Sequence, residues 1–405
     1  MKILCLYGST YPWDVRLEKM AVSATAAGHH FHILCANFDR RPRHEWVEPC
    51  HVHRIPALQL GPALLGQTLS APLHTNPVWA ASVAATMAAV RPDVVMARDL
   101  HVALLAVAAA RAARVPMILD LAENWPFLLS EWKRFENPSL QNLLFRSAWM
   151  SWVVELLAVH AADHVLVVVT EMRDRLRAKG VPESHMTVVT NVPARGQAEV
   201  DSGAAAAIRR RLGAGLKIIY TGEISGFRGL EVALMAMPLV TRAEPQARLI
   251  MAGKGKRVAE VRVTRLIDEL GIRGSVVRPG FVPRTELANW MAACDVGLAP
   301  FRRSRVFDTT ISNKIFDYMS IGLPVVATAV GPVTRILDET GAGLGVESGS
   351  PRALAEAMLR LRDRDLRRRL GERGREAVRR RYNWEIEGPR FVRCIEEVAA
   401  RHRRR

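Results

Sequence analysis

The stretch TTISNKIFDYMSIGLP, Thr309 to Pro324, decides how the whole chain reads. It begins as a polar loop of small residues (Thr309, Thr310, Ser312, Asn313), adds the cation of Lys314, and carries Asp317 on an amphipathic turn. Ser320, Gly322 and Pro324 stop that helix, and Val325 to Thr328 follows as a buried-strand run. A loop feeding a helix leaves backbone N–H groups unpaired at the positive end of the helix dipole, which is a ready anion site. Lys314 would add a point charge there, and Asp317, about one turn on, could accept hydrogen bonds from sugar hydroxyls. The other reading is a capped helix whose polar residues only satisfy its own first turn.

Outward from this stretch, the C-terminal half alternates strands with loops and helices. Lys217–Thr221 runs into Gly222-Glu223, and Arg228-Gly229-Leu230 opens a helix. Arg248–Ala252 ends in Gly253-Lys254-Gly255, Val276–Arg278 in Pro279-Gly280-Phe281-Val282, and Asp295–Ala299 in Pro300-Phe301. The N-terminal half has the same grammar. Met1–Tyr7 ends at Gly8-Ser9-Thr10, and Asp14 to Gly28 has helical periodicity. Strand-like runs follow at Phe31–Ala36, His51–Pro56, Pro92–Ala97, Val115–Leu121, Ala162–Val169 and Met186–Thr190. Ala57–Pro77 has no period and reads as a long loop or lid. Ala194–Gly215, rich in Gly, Ala and Ser, breaks the alternation and reads as the domain boundary. The expectation is an α/β chain of two Rossmann-like, doubly wound domains, 1–195 and 196–385, facing a cleft, with a basic helical tail, 386–405, packing back on the first.

Composition narrows the class. A length of 405 residues suits two α/β domains of roughly 200 residues each. No apolar run reaches the roughly 18 to 20 residues of a membrane span, and MKILCLYGS has too short an apolar run for a signal peptide. Five scattered cysteines without CxxC spacing argue for reduced thiols in a cytoplasmic protein and against a zinc site. The net charge of +17, concentrated late in the chain, favours an acidic partner such as anionic lipid or a phosphorylated substrate. Nucleic acid fits poorly, because no recognition helix, zinc pattern or aromatic β-platform accompanies the charge. Trp125, Trp132, Trp149 and Trp152 lie among Lys133, Arg134 and Arg146. That mixture suits either a membrane–water interface or a pair of core helices carrying tryptophan.

The order and spacing of several segments resemble the retaining GT-B glycosyltransferases of glycosyltransferase family 4, also called group 1. They are the Gly8 loop with Arg16; Ala162-Asp163-His164-Val165; Thr190-Asn191-Val192; Tyr220-Thr221-Gly222; and Arg228-Gly229-Leu230-Glu231. Ala252 to Gly255, Gly280 to Val282, Asp295 to Pro300, and Lys314 to Met319 with Gly322 to Val326 complete the series. The resemblance implies a nucleotide sugar, a UDP- or GDP-sugar with UDP favoured, on the C-terminal domain. It implies a lipid-linked or saccharide acceptor on the N-terminal domain, and transfer with retained configuration and no metal or other cofactor. By resemblance Arg228 and Lys314 meet the diphosphate, with the amides of Ser312 and Asn313. The Gly280-Phe281-Val282 backbone reads the base and Asp317 holds the ribose. Gly8, Gly222, Gly253 and Gly255 let the donor approach, and Ser9, Arg16, Asp120 and Asn124 line the acceptor side. Departures stand out. Thr309 occupies the position of the first of two acids, Glu223 that of a common basic residue, and Ala122 that of a histidine. Glu123 beside it is the candidate to contact acceptor or sugar. The expected setting is surface polysaccharide or glycoconjugate synthesis on the inner membrane face. A sugar-nucleotide epimerase of the same fold, or a degenerate family member, is the alternative.

Overall fold

A computed structural model describes residues 1–12, 14–57, 76–135, 148–196 and 199–404, with backbone only for 132–135. Its contacts divide the chain into two units. One comprises Met1–Ser130, Pro138–Asn191 and Ile386–Arg405, and the other Glu131–Asn137 and Val192–Glu385.

In the first unit, eight strands form one sheet among the described residues: β1 (Lys2–Tyr7), β2 (His30–Cys35), β3 (His44–Val47), β4 (Cys50–Arg54), β5 (Val94–Arg98), β6 (Met117–Leu121), β7 (His164–Val167) and β8 (Met186–Val188). Their order is β3-β4-β2-β1-β5-β6-β7-β8, parallel except for the β3–β4 pair. Strands covered on both faces must be apolar along their whole length, and Ile3 to Leu6 of β1 and Val94 to Ala97 of β5 are wholly buried. The C-terminal helix, Trp384–Arg403, returns to this unit from Ile386 onward. His29 Nε2 meets Glu396 Oε1 at 3.1 Å, and the Thr190 N–H donates to Glu387 Oε2 at 3.3 Å.

Among the described residues the second unit has six strands: β9 (Lys217–Thr221), β10 (Arg248–Ala252), β11 (Val276–Gly280), β12 (Val296–Ala299), β13 (Val325–Thr328) and β14 (Gly343–Val346). All pair in parallel in the order β11-β10-β9-β12-β13-β14. Renumbered within the unit this is 3-2-1-4-5-6, the doubly wound order whose direction reverses between β9 and β12.

Two local features were not anticipated. The segment read as the domain boundary, Ala194–Gly215, contains the helix Ser202–Arg211. Asp201 caps it, accepting from the Gly203 and Ala204 N–H groups at 2.8 and 3.0 Å; the Gly-Ala-Ser composition hid the cap. Strand β3 was not anticipated, because His-Glu-Trp-Val has no apolar alternation and sits at the antiparallel edge. Of the expected loop Ala57–Pro77, residues 58–75 lie outside the described residues, and Pro77 already begins the helix Pro77–Val90 under an Asn76 cap. The side chains of Trp132, Lys133, Arg134 and Arg146 lie outside them too. Among the described residues, no helix is long and apolar enough to cross a membrane.

Candidate functional site

The reversal between β9 and β12 is where an open parallel sheet binds its ligands, outside the strand C-termini. The chain leaves β9 through Gly222, at φ 115°, and Glu223, then makes a short 3₁₀ turn, Gly226–Arg228. Gly229 has φ 75°, and a Cβ there would lie 1.8 Å from the Pro300 carbonyl. Only glycine lets this turn lie against the end of β12, and the turn fixes Arg228 at the threshold of the helix Leu230–Ala243. The Arg228 guanidinium lies 5.0 Å from the Phe227 ring centroid, and its buried Nε meets no hydrogen-bond acceptor among the described residues.

Lys314 opens the helix Lys314–Ser320 and is buried, with 7% of its surface exposed. Its Nζ sits 3.7 Å from the Tyr220 ring centroid and 5.6 Å from that of Phe301. A Cβ on Gly222 would stand 3.4 Å from the same Nζ, so Gly222, Tyr220 and Lys314 form one wall. Burial first, and then the Arg228 charge, push the Lys314 amine well below the ordinary lysine range, against the opposing pull of Asp317 and Glu223. Two basic side chains therefore converge at the β9/β12 reversal.

The helix itself is pinned from behind. The Tyr318 hydroxyl accepts from the Thr221 N–H at 3.0 Å and lies 3.3 Å from the Ile219 and Leu298 carbonyls. Its ring packs where a Cβ on Gly297 would come within 2.4 Å. This helix ties β9 to β12.

The polar loop differs from its reading. The helix it feeds has only seven residues, so its dipole is short. Asn313 is in helical conformation and makes no side-chain cap bond. The Thr309 hydroxyl donates to the Arg305 carbonyl at 2.9 Å, inside its own turn. Ser312 offers its carbonyl to the Ile315 N–H at 3.2 Å, and Asn313 offers its own to the Asp317 N–H at 3.0 Å. Asp317 is partly exposed on the helix that carries Lys314. Positive charge here comes from side chains more than from the helix.

Gly253 and Gly255 have a packing reason of their own. Cβ atoms there would lie 1.8 Å from the Gly222 carbonyl and 2.2 Å from the Ile224 carbonyl. The loops after β9 and β10 run side by side, joined by Gly222 N–H to Ala252 O at 2.9 Å and Ile224 N–H to Lys254 O at 3.1 Å. Gly280 has φ 80° at the end of β11, Phe281 after it is 67% exposed, and Val282 is partly exposed.

In the first unit the sheet reverses between β1 and β5. Gly8 and Ser9 follow β1 there, and the Ser9 carbonyl accepts from the Ala36 N–H at 3.1 Å. Arg16 and Asp120, expected to line an acceptor, are 1% and 0% exposed. The Arg16 guanidinium grips Asp120 through Nε at 3.1 Å and Nη2 at 2.8 Å, and donates to the Val189 carbonyl at 2.7 Å. Their side chains form internal ties between α/β elements of this unit. Asn124 is likewise fully buried. Glu123 is half-buried just past β6. The sequence reading missed Arg98 and its acids: Arg98 meets Asp14 at 3.1 Å and Asp99 at 2.7 Å. Asp99 sits at φ 64°, a region sparse for a non-glycine residue. The available signal was an Arg-Asp pair directly after a buried strand.

Residues 14–192 match the family described as "Glycosyl transferase 4-like domain", and residues 215–364 match "Glycosyl transferases group 1". The chain belongs to the group 1 glycosyltransferases. This member is 29% identical over 191 residues to the D-inositol 3-phosphate glycosyltransferase of Xylanimonas cellulosilytica, covering 46% of this chain and 44% of that protein. It spans about half the length of the curated relatives it matches. Among solved structures, the fold superposes on the sucrose-phosphate synthase of Thermosynechococcus elongatus with a TM-score of 0.79 at 19% identity, over 99% of this chain and 100% of that one. It superposes on Anabaena HepE in complex with UDP-glucose with a TM-score of 0.74 at 18% identity, over 98% and 100%. Those likenesses make this group 1 glycosyltransferase a GT-B fold.

Proposed function

We propose that the chain is a retaining glycosyltransferase that moves a sugar from a nucleotide-sugar donor, a UDP-sugar in first place, to a saccharide or lipid-linked acceptor. One observation carries the reading: the convergence of Lys314 and the partnerless Arg228 Nε at the β9/β12 reversal. As the glycosidic bond breaks, negative charge builds on the departing nucleoside diphosphate. Preorganised cations aimed at that charge are the largest single aid available to such a reaction. Arg228 and Lys314 would supply it without a metal. Gly222, which lacks a Cβ, would let the phosphates come close. Asp317 would accept from the ribose and the Gly280–Val282 backbone would read the base. Ser312 and Asn313 would add backbone N–H groups. Acceptor binding falls to the N-terminal unit, with Glu123 the half-buried carboxylate to contact acceptor or sugar.

The experiment is a donor screen in which nucleoside diphosphate release is followed with and without saccharide acceptors. Release that depends on acceptor, with the donor's anomeric configuration kept in the product by NMR, supports the reading. Equal turnover without acceptor points instead to an epimerase or hydrolase and ends it.

The same proposal includes a peripheral seat on the inner membrane face. On the helix Ala148–Ala161, Trp149 is 72% exposed, Met150 54%, Val153 38%, Leu156 49% and Leu157 52%. That spacing makes one apolar stripe with a tryptophan at its start. With a net charge of +17, an anionic bilayer is the partner that fits.

A further inference from the structure

Lys314 sits where a permanent charge is hard to keep. It is buried on the Tyr220 ring with Phe301 alongside, and no hydrogen bond or ion pair among the described residues reaches its amine. Burial without an acceptor penalises an ammonium far more than an amine. The charged groups facing it come from three directions. Arg228 stands on the turn before Leu230, Glu223 on the loop after β9, and Asp317 on Lys314's own helix; Arg228 opposes the ammonium and the two acids favour it. Tyr220, beneath, is kept neutral by burial and donates its proton to the Glu223 carbonyl at 2.6 Å. An arriving diphosphate would change this balance, because it brings at least two negative charges against the buried amine.

We propose that Lys314 stands as a neutral amine in the unliganded protein around and above neutral pH, and takes up one solvent proton when the diphosphate arrives. Binding is then proton-coupled, and the cation is created only when there is an anion to receive it. The inference rests on the donor reading given above. It also gives a reason for lysine at this position in a chain with eight lysines and forty-nine arginines. A guanidinium stays charged at any accessible pH, whereas a buried lysine can drop its proton. Affinity should fall with rising pH by up to tenfold per unit, between the free amine's pKa and that of the complex.

The test is titration calorimetry with UDP and GDP at about pH 8, where the β-phosphate is already fully ionised, in buffers of differing ionisation heat. The expected result is an uptake approaching one proton per nucleotide bound in the natural protein, and none per nucleotide bound by Lys314→Arg. Binding without uptake, or equal uptake in Lys314→Arg, would overturn the proposal. A second measurement needs no nucleotide: ¹³Cε-lysine NMR of the unliganded protein, with the Lys314 signal assigned by its absence in Lys314→Arg. It should titrate well below the other lysines, and an ordinary titration would overturn the coupling alone. Failure of both UDP and GDP to bind would overturn the coupling together with the donor reading.

Discussion

At the scale of single residues, the site rests on two basic side chains, one buried against an aromatic ring and one beside it at the start of a helix. Arg228→Ala and Lys314→Met should each lower kcat by roughly 10²- to 10³-fold, as loss of one preorganised oxyanion partner does elsewhere. Steady-state rates on the best donor found in the screen check this. Glu223 faces the same pair and should work against an anion. Glu223→Arg is therefore expected to tighten UDP about two- to fivefold, the worth of one exposed charge; unchanged or weaker binding by calorimetry would show that Glu223 does not face the phosphates. Lys314 and Asp317 stood out in the sequence because a loop of small polar residues feeds the helix that carries them, and Arg228 stood out only through the family resemblance. Tyr220 as the platform under Lys314 was not, since that depends on which face of β9 looks toward the helix. The Arg16–Asp120 pairing was not legible for a related reason. A contact between residues 104 positions apart exists only once the sheet is assembled.

At the scale of elements, the decisive pieces are a seven-residue helix and the strands it bridges. Tyr318→Phe removes the hydroxyl that pairs with the Thr221 N–H, leaving a buried donor unsatisfied at a cost of about 1–3 kcal/mol. Denaturant unfolding followed in the second unit should show that loss, with nucleotide affinity reduced alongside it. Gly297→Ala is harsher, because its Cβ would collide with the Tyr318 ring. It should lower Tm by more than Tyr318→Phe does and also weaken UDP. A Gly297→Ala protein as stable as the parent would mean that the ring is not held there. The strands Lys217–Thr221 and Arg248–Ala252 were readable to the residue from apolar runs that each end at a glycine. The helix Ser202–Arg211 was not, because most of it is exposed and only Ala205 is buried, so no apolar stripe marks it.

At the scale of the molecule, acid should loosen the first unit. Burial, with the nearby Arg401 and His185 charges, pulls the His164 pKa from 6.5 to about 4. The unfolded chain therefore takes up a proton that the folded one refuses. Stability tied to His164 is complete above about pH 6.5 and is lost as the pH falls toward about 4, by about 3 kcal/mol at most. Tm should accordingly drop between pH 7 and pH 5, and His164→Gln should flatten part of that slope; an unchanged slope would reassign it. The net charge makes its own prediction. Vesicles rich in phosphatidylglycerol should sediment the protein, salt should release it, and Trp149→Ser with Leu156→Ser should abolish retention. Binding to neutral phosphatidylcholine with equal strength would remove the anionic seat. Finally, Cys5, Cys35, Cys50, Cys294 and Cys394 are all buried and unbonded, and burial raises the thiols, Cys394 to about 11 and Cys35 to about 12. To alkylating dyes the folded chain is therefore a blank slate. One cysteine introduced at Phe281, 67% exposed beside the candidate base site, would take a fluorophore alone, so donor arrival could be watched without deleting a single native thiol.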